Sequence, residues 1–584
     1  MNHEKNLSNY INRAKSLNPS EYGNKIRVAT LSNFTLNGLS DIIQVKCSEI
    51  DVGCFSYVSD YNQYNQNILS ETSKLYEFSP DITFLILDIR SILGDVFYFP
   101  YTLDSSERND LIVKITNDLK ILIKSFTDKI KSKLIISNFV IPTYSSYGIL
   151  DSKMDHGLKN IVNEINNNLE NFIKTQQSVY SFDLNGFITR YGENNVFDYH
   201  KYFFGDIRIS FDYLPYLAND LLSYIKAFLG LSKKCIVLDL DNTLWGGIVG
   251  EDGYDGINLG PTPPGNAYVE FQKRLLALHQ RGIILAINSK NNFDDAIQVI
   301  KNHPYMILRE EHFASVKINW IDKVTNMKYI ASELNIGLDS MVFFDDDPVN
   351  REFIETQIPQ ILTVNIGNDP AKYAQILTNL NDFELLQITE DDTKRGGMYL
   401  EEKNRKILMD STTSLDDFLK QLEIKTEIKK VDQFSLPRIS QLTLKTNQFN
   451  LTTKRYQEED VQKFSQDKKM IVCGAQVKDK FGDNGITGVY IIKKNNSEEW
   501  VIDTFLLSCR VIGRKIEDAM MANILKQAKL EGVKKVKTQF IPTQKNQPIS
   551  DFLPSYGFIL EGDYWVFSLE NEIKTPEHIE ITSI

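Results

Sequence analysis

Lys234-Cys-Ile-Val-Leu-Asp239-Leu-Asp241-Asn-Thr243-Leu-Trp245-Gly246-Gly247 is an apolar run that leads straight into two carboxylates one residue apart. In a strand, alternation puts Asp239 and Asp241 on one face and Leu240 on the other. The C-terminal end of a buried parallel strand is where open α/β sheets place their ligands. Two neighbouring carboxylates repel unless a cation lies between them, and hard oxygen donors with few supporting residues suit Mg²⁺. The competing reading is a solvated strand end followed by a Gly-Gly turn.

Three later segments bear on that choice. Gly282-Ile-Ile-Leu-Ala-Ile-Asn288-Ser289-Lys290-Asn291 is a second apolar strand, ending in a hydroxyl, a cation and an amide. Lys323, in Asn319-Trp320-Ile-Asp-Lys323, precedes a helical pattern from Val324 to Leu334, and Met341-Val-Phe-Phe-Asp345-Asp346-Asp347-Pro348 is a third strand ending in carboxylates. An Asp-x-Asp, a Ser, a Lys and an acidic pair in this order resemble the four motifs of the haloacid dehalogenase superfamily. The resemblance implies phosphoryl transfer through an aspartyl phosphate. Asp239 would attack phosphorus, and Asp241 would protonate the leaving oxygen and later activate water. Ser289 and Lys323 would hold the phosphoryl oxygens. Mg²⁺ would lie between Asp239, the Asp241 backbone carbonyl and Asp345 or Asp346. Asp347 reads equally as a turn carboxylate before Pro348.

The 584 residues are too many for one core, and three or four domains are expected. Sixty-five basic against 77 acidic residues give a net charge of −12, which argues against nucleic acid as the main partner. Met1 to Ser20 is polar, without the apolar core of a signal peptide, and no run of ~18 apolar residues predicts a membrane span. Cys47, Cys54, Cys235, Cys473 and Cys509 form no zinc spacing, which fits a reduced cytoplasm.

From Ile26 to Gly230 strand and helix patterns alternate, as in a doubly wound sheet. Ile26–Leu31, Ile82–Leu87, Leu134–Ile136 and Val179–Asp183 read as buried strands, and Asp110–Ile130 and Gly157–Lys174 as helices. A serine after the first strand, Ser32, resembles the SGNH-hydrolase layout, with Asn138 as an oxyanion donor. That fold wants Asp-x-x-His; the chain offers Asp198-Tyr199-His200, one residue short. A capping or turn serine is the alternative, and partner binding the expected role of this domain.

A new α/β pattern begins near Leu231, with Tyr268, Phe271, Leu275 and Leu278 as a core stripe. No large cap domain is inserted before Lys323, so the phosphate pocket should admit a substrate presented by a large partner. Glu390-Asp391-Asp392 and the charged stretch Glu401 to Lys406 read as a linker helix. In the last third, strands at Met470–Val477, Gly485–Ile492 and Trp500–Leu507 precede Ser508-Cys509-Arg510-Val511-Ile512-Gly513-Arg514 and a helix. Strand, Arg-x-x-Gly-Arg turn and helix resemble the acyl-CoA-binding turn of GNAT acyltransferases, with Lys515 where a second glycine is usual. The expected fold class is therefore a multidomain α/β chain. It comprises an SGNH-like doubly wound sheet (1–230), a HAD-like Rossmannoid domain (231–395) and a GNAT-like α+β domain (396–584).

Lys445-Thr-Asn447-Gln448-Phe-Asn450-Leu-Thr452-Thr453, Phe481-Gly-Asp483-Asn484-Gly485, the Cys509 block and Thr543-Gln-Lys545-Asn546 resemble the signature blocks of FkbH-like proteins. This resemblance implies that 1,3-bisphosphoglycerate, or a similar phosphorylated three-carbon acid, loses phosphate. Its glyceryl group would then load onto the phosphopantetheine thiol of an acyl carrier protein in polyketide-type biosynthesis. Cys509, beside Arg510 and Arg514, would carry the acyl group; the competing reading is a buried thiol ending a strand. Cys235 and Cys473 read as inert core thiols. Asn447, Gln448, Asn450, Arg510, Arg514 and Lys545 are the candidate substrate contacts, with turn chemistry as the alternative for the amides. Lys534-Lys535-x-Lys537 and the Lys445, Lys454 and Arg455 region are candidate carrier-docking patches. A phosphatase without acyl transfer, and a non-catalytic pathway scaffold, are the other readings.

Overall fold

The computed structural model describes residues 7–387, 401, 405, 408–409, 411–412, 414–543 and 545–583. Most of the expected linker helix, including Glu390-Asp391-Asp392, lies outside the described residues. The chain divides into two compact units, Met1–Ile225 and Lys226–Ile584.

The first unit is built on five parallel strands: β1 (Asn24–Ser32), β2 (Val52–Val58), β3 (Ile82–Ile86), β4 (Lys133–Ser137) and β5 (Val179–Phe182), in spatial order β2-β1-β3-β4-β5. All residues of β3 and β4 are buried, as expected for central strands covered by helices on both faces. Helix Ser105–Lys129 opens with a capping box in which Asp104 accepts from Glu107 N and Glu107 accepts from Asp104 N. It buries Ile112, Ile115, Leu119, Leu122 and Phe126. Helix Leu158–Ile173 packs Ile161, Ile165 and Leu169 into the same core.

The second unit holds two sheets. One is again wholly parallel: β6 (Cys235–Leu238), β7 (Ile284–Ser289), β8 (Phe313–Ile318), β9 (Met341–Asp345) and β10 (Leu362–Asn365), in the order β10-β9-β6-β7-β8. The chain winds outward from β6 in both directions, so the switch point lies at the end of β6. The other sheet is mixed: β11 (Ile424–Lys430), β12 (Phe449–Asn450), β13 (Met470–Asp479), β14 (Gly482–Lys494), β15 (Glu499–Leu507), β16 (Lys535–Thr538), β17 (Ile559–Glu561), β18 (Tyr564–Ser568) and β19 (Ile579–Ser583). Sequence pattern places β13 to β16, the last within a strand pattern from Lys535 to Phe540, but not β11, β12 or β19. β12 fills a wedge. It pairs with Leu506 and Leu507 of β15, while Ile541 N, beyond β16, donates to Leu451 O at 2.8 Å. Helix Ile516–Leu530 lies over β14, where Gly488 leaves room for the Met520 side chain.

The core beneath the mixed sheet buries a costly group. Glu517, in the first turn of that helix, keeps Oε2 buried without a hydrogen-bond partner among the described residues. Burial, helped by nearby Asp518, pushes its carboxyl up to about 7 from an ordinary 4.5. The folded chain therefore holds this proton better than the unfolded chain, and the group stabilises the fold fully below about pH 4.5. That contribution is lost as pH rises through about 7. Thermal unfolding of Glu517→Gln against wild type should show the variant gaining relative stability between pH 5 and pH 8; a difference that does not move with pH would contradict this assignment.

Candidate active site

Loops after the C-terminal ends of the second sheet bring four polar groups of the sequence pattern together. Asp239 follows β6, Asp345 ends β9 with Asp346 next to it, and Lys323 is the first residue of helix Lys323–Glu333. That helix is started by Asp322, whose side chain accepts from Thr325 N at 2.8 Å. Lys323 is buried. Its Nζ lies 3.0 Å from Asp239 Oδ1 and 2.5 Å from Asp345 Oδ2. Burial opposes its charge, but the two carboxylates outweigh that and raise its pKa.

Each group is braced. Asp345 Oδ1 accepts from Asp347 N at 2.9 Å, and Arg351 donates to the Asp345 and Asp346 carbonyls at 2.6 Å each. Asn288, at the end of β7, donates to the Lys323 carbonyl at 2.9 Å and accepts from Asn326 at 3.1 Å. Ser289 is buried at the same strand end. Asp347 caps helix Pro348–Gln357 by accepting from Val349 N, which gives it the turn role.

Asp239, Asp345 and Asp346 each present a carboxylate oxygen within 4.8 Å of the others. An all-oxygen set of this size fits a hard divalent cation, and Mg²⁺ needs only one or two protein carboxylates beside water and phosphate oxygens. Burial, with Asp239 adding repulsion, pushes Asp345 and Asp346 up to about 6 each, the strain a cation would relieve. The Asp241 side chain is aimed elsewhere: Oδ1 accepts from Trp245 Nε1 (2.8 Å) and Val249 N (3.1 Å), and Oδ2 from Asn291 Nδ2 (2.8 Å). It can serve the cation only through its backbone. Burial, with Asp239 beside it, raises its carboxyl pKa, as a proton donor requires. Clustered carboxylates, a buried ammonium and a neighbouring carboxyl whose pKa is raised by burial form a constellation suited to holding a cation and a phosphoryl group.

Asn291, Asn288, Arg351 and Trp245 were not singled out by the sequence reading, although Asn288 and Asn291 flank Ser289 in the quoted strand end. Thr243 Oγ1 is also buried there without a partner among the described residues.

The other candidate residues fare differently. Cys509 is half-buried in the turn after β15, and its carbonyl accepts from Asn335 Nδ2. Thr487 Oγ1 and Asn484 Nδ2, on the adjoining β14, are buried and unpartnered among the described residues. Cys235 and Cys473 are buried core thiols with raised pKa. Arg514 is not poised for a substrate: it is buried against Asp479, at 3.2 Å, beside Arg405, which grips the same carboxylate at 2.7 and 2.9 Å. Asn450 is likewise committed, donating to Thr446 O (3.2 Å) and accepting from Thr453 N (2.9 Å), while its carbonyl takes Asn546 Nδ2 (2.9 Å). Asn447 accepts from Arg455 at 2.6 Å, Lys545 pairs with Asp339 at 2.5 Å, and Gln448 is exposed. Arg510 is half-buried in the Cys509 turn.

Four lysines of the two docking patches are paired with chain carboxylates, whereas Arg455 donates to the Leu444 carbonyl and to Asn447. Lys534 and Lys537 sit 2.6 Å from Glu498 and Glu499, Lys535 is 3.9 Å from Glu561, and Lys454 pairs with Asp503. Lys515 adopts a left-handed conformation (φ 66°) in the place of glycine. In the first unit, Ser32 Oγ accepts from Phe34 N, a turn role. Asn138 spends its amide on Asp183 and Asn185 N, and Asp198 caps the helix carrying exposed His200. Asn138 thus ties the end of β4 to the start of the helix after β5, and Asp198 is a helix cap.

Residues 27–226 match the family described as FkbH, N-terminal domain. The chain is similar to the N-terminal part of BF1531 from Bacteroides fragilis, a structure containing a phosphatase domain complexed with Mg, at 29% identity and TM-score 0.60, covering 65% of this chain and 99% of that one. Slighter likenesses fall on about a quarter of the chain. Ard1 from Thermoplasma volcanium is 15% identical at TM-score 0.20, covering 24% of this chain and 97% of that one. Spermidine N-acetyltransferase from Vibrio cholerae, in complex with CoA and spermine, is 10% identical at TM-score 0.21, covering 25% and 96%. At those scores neither carries an argument. No curated protein matches the chain.

Replacing Lys323 by Met strands facing buried carboxylates, a loss of about 3–5 kcal/mol when one partner of a buried pair is removed. Urea unfolding should register that loss, and millimolar Mg²⁺ should recover part of it in Lys323→Met. A variant as stable as wild type without Mg²⁺ would show that the ammonium is not what holds these acids together.

Proposed function

We propose that the chain is a Mg²⁺-dependent HAD-type phosphatase coupled to acyl transfer: it removes phosphate from 1,3-bisphosphoglycerate or a similar phosphorylated three-carbon acid, and passes the glyceryl group to an acyl carrier protein. The observation that carries the phosphatase half is the convergence of Asp239, Asp345, Asp346 and Lys323 at one strand edge. The Mg-complexed phosphatase-domain relative supports it. In this reading residues 231–395 perform the phosphate chemistry, 396–584 the acyl transfer, and 1–230 bind a partner.

Asp239 attacks phosphorus, and Asp241 supplies a proton to the departing oxygen and then takes one from water. Lys323 and Ser289 hold the phosphoryl oxygens. Mg²⁺ bound by Asp239, Asp345 and Asp346 would screen the gathering negative charge. The acyl half rests on Cys509, set in a turn between a strand and a helix beside two unpartnered buried polar groups. The wedge between β15 and β16 is closed by β12, which argues against a cofactor chain inserted between those strands. Among the described residues no helix is long and apolar enough to cross a membrane.

Phosphate release from p-nitrophenyl phosphate with Mg²⁺ should fall at least about a thousandfold in Asp239→Asn. Intact-mass analysis with 1,3-bisphosphoglycerate and a phosphopantetheinylated carrier should find an acyl adduct on the wild-type chain and none on Cys509→Ala. Phosphate release with free glycerate as product and no loaded carrier would reduce the protein to a phosphatase. Release insensitive to Asp239→Asn would remove the catalytic reading.

A further inference from the structure

Asp239 and Asp241 leave the same strand two residues apart, yet their side chains meet different neighbours. Asp239 faces Lys323, whereas Asp241 is gripped from two sides. On one side the chain doubles back. Asn242 takes a left-handed conformation (φ 55°) and Leu244 N returns to Leu240 O at 2.8 Å, which brings Trp245 beside Asp241. The Trp245 ring is fully buried in a core shared with Leu244 and Leu259, so its Nε1 is a fixed donor. The turn that follows is braced as well. Gly247 N donates to Asn242 Oδ1 (2.9 Å) and Ile248 N to Asp252 Oδ2 (2.8 Å). Gly246 and Asn258 exchange backbone hydrogen bonds at 3.1 and 2.8 Å. Val249 N is thereby held toward Asp241. From the other side comes Asn291, buried in the loop after β7.

A carboxylate accepts through about two lone pairs on each oxygen. Oδ1 of Asp241 spends both, on Trp245 Nε1 and Val249 N, and Oδ2 spends one, on Asn291 Nδ2. A proton placed on Oδ1 would meet an N–H hydrogen head on. Oδ2 alone keeps a place for it.

We infer, resting on the phosphatase half of the function proposed above, that Trp245 and Asn291 are positioning residues for the departing oxygen. Trp245 confines the proton of Asp241 to Oδ2, and Asn291 fixes the direction in which Oδ2 presents it. In the first step an O–P bond to Asp239 forms as the P–O bond to the leaving group breaks. The leaving oxygen keeps the electron pair and takes the proton from Oδ2. In the second step a water oxygen bonds phosphorus as the aspartyl O–P bond breaks. One water proton returns to Oδ2, and Asp239 regains its carboxylate. Removal of the indole N–H opens a lone pair on Oδ1, and the proton can then settle on the side facing the turn. The loss falls on departing oxygens that need a proton, not on those stable as anions.

The test gives the full chain with Mg²⁺ three aryl phosphates of similar size: p-nitrophenyl, phenyl and p-methylphenyl phosphate. p-Nitrophenolate leaves unaided, whereas the two more basic phenolates depart readily only with a proton. Trp245→Phe, or Asn291→Ala should the first fail to fold, should lower kcat/KM for the phenyl and p-methylphenyl esters at least about tenfold more than for the p-nitrophenyl ester. A merely structural part for the indole would depress all three together. Equal losses on the three substrates, or no loss on any, overturn the inference and leave the phosphatase reading standing. A wild-type chain that hydrolyses none of the three overturns both.

Discussion

A single buried ammonium organises the second sheet. Lys323 stands between Asp239 and Asp345, and without a positive charge there two desolvated carboxylates would face each other at the switch point. The rest of the site is arranged to keep that charge in place. Asp322 starts the helix, Asn288 holds the Lys323 carbonyl, and Arg351 fixes the backbone of both acids after β9. The same electrostatics divide the labour between the two acids after β6. Asp239 belongs to the carboxylate cluster, whereas Asp241 is turned away by three donors and its pKa is raised by burial.

Much of this was legible from sequence because parallel strands leave a plain signature. Buried runs such as Cys235–Leu238 and Met341–Phe344 have no polar residue, so the first polar side chain after each marks the strand's functional end. Asp239 and Asp345 stand out for that reason, Ser289 because it directly follows Asn288 at the end of such a run, and Lys323 because it opens a helix. The short edge strand β10 and the irregularly paired β8 carry weaker patterns.

What pattern could not give was the destination of polar side chains. The amide-rich run from Asn447 to Asn450 looks like a ligand surface until Asn450 is found tying Thr446, Thr453 and Asn546 together. Arg514 beside Cys509 looks like an anion site until Asp479, 35 residues earlier, is seen to claim it. The lysines of β16 read as a docking patch only while Glu498, Glu499 and Glu561 are out of sight. Asn546, Asp479 and the three glutamates are remote in sequence, so no local pattern encodes those contacts.

The short strand β12 has a consequence of another kind. Where β15 and β16 part company, a mixed sheet would leave a stretch of unpaired N–H and C=O groups along the inner flank of β15, a ready template for a strand from another polypeptide. Two residues, Phe449 and Asn450, occupy that flank, and Asn546 fastens them from the side. Self-capping of this sort surrenders a cleft in return for protection against aggregation by edge-to-edge pairing.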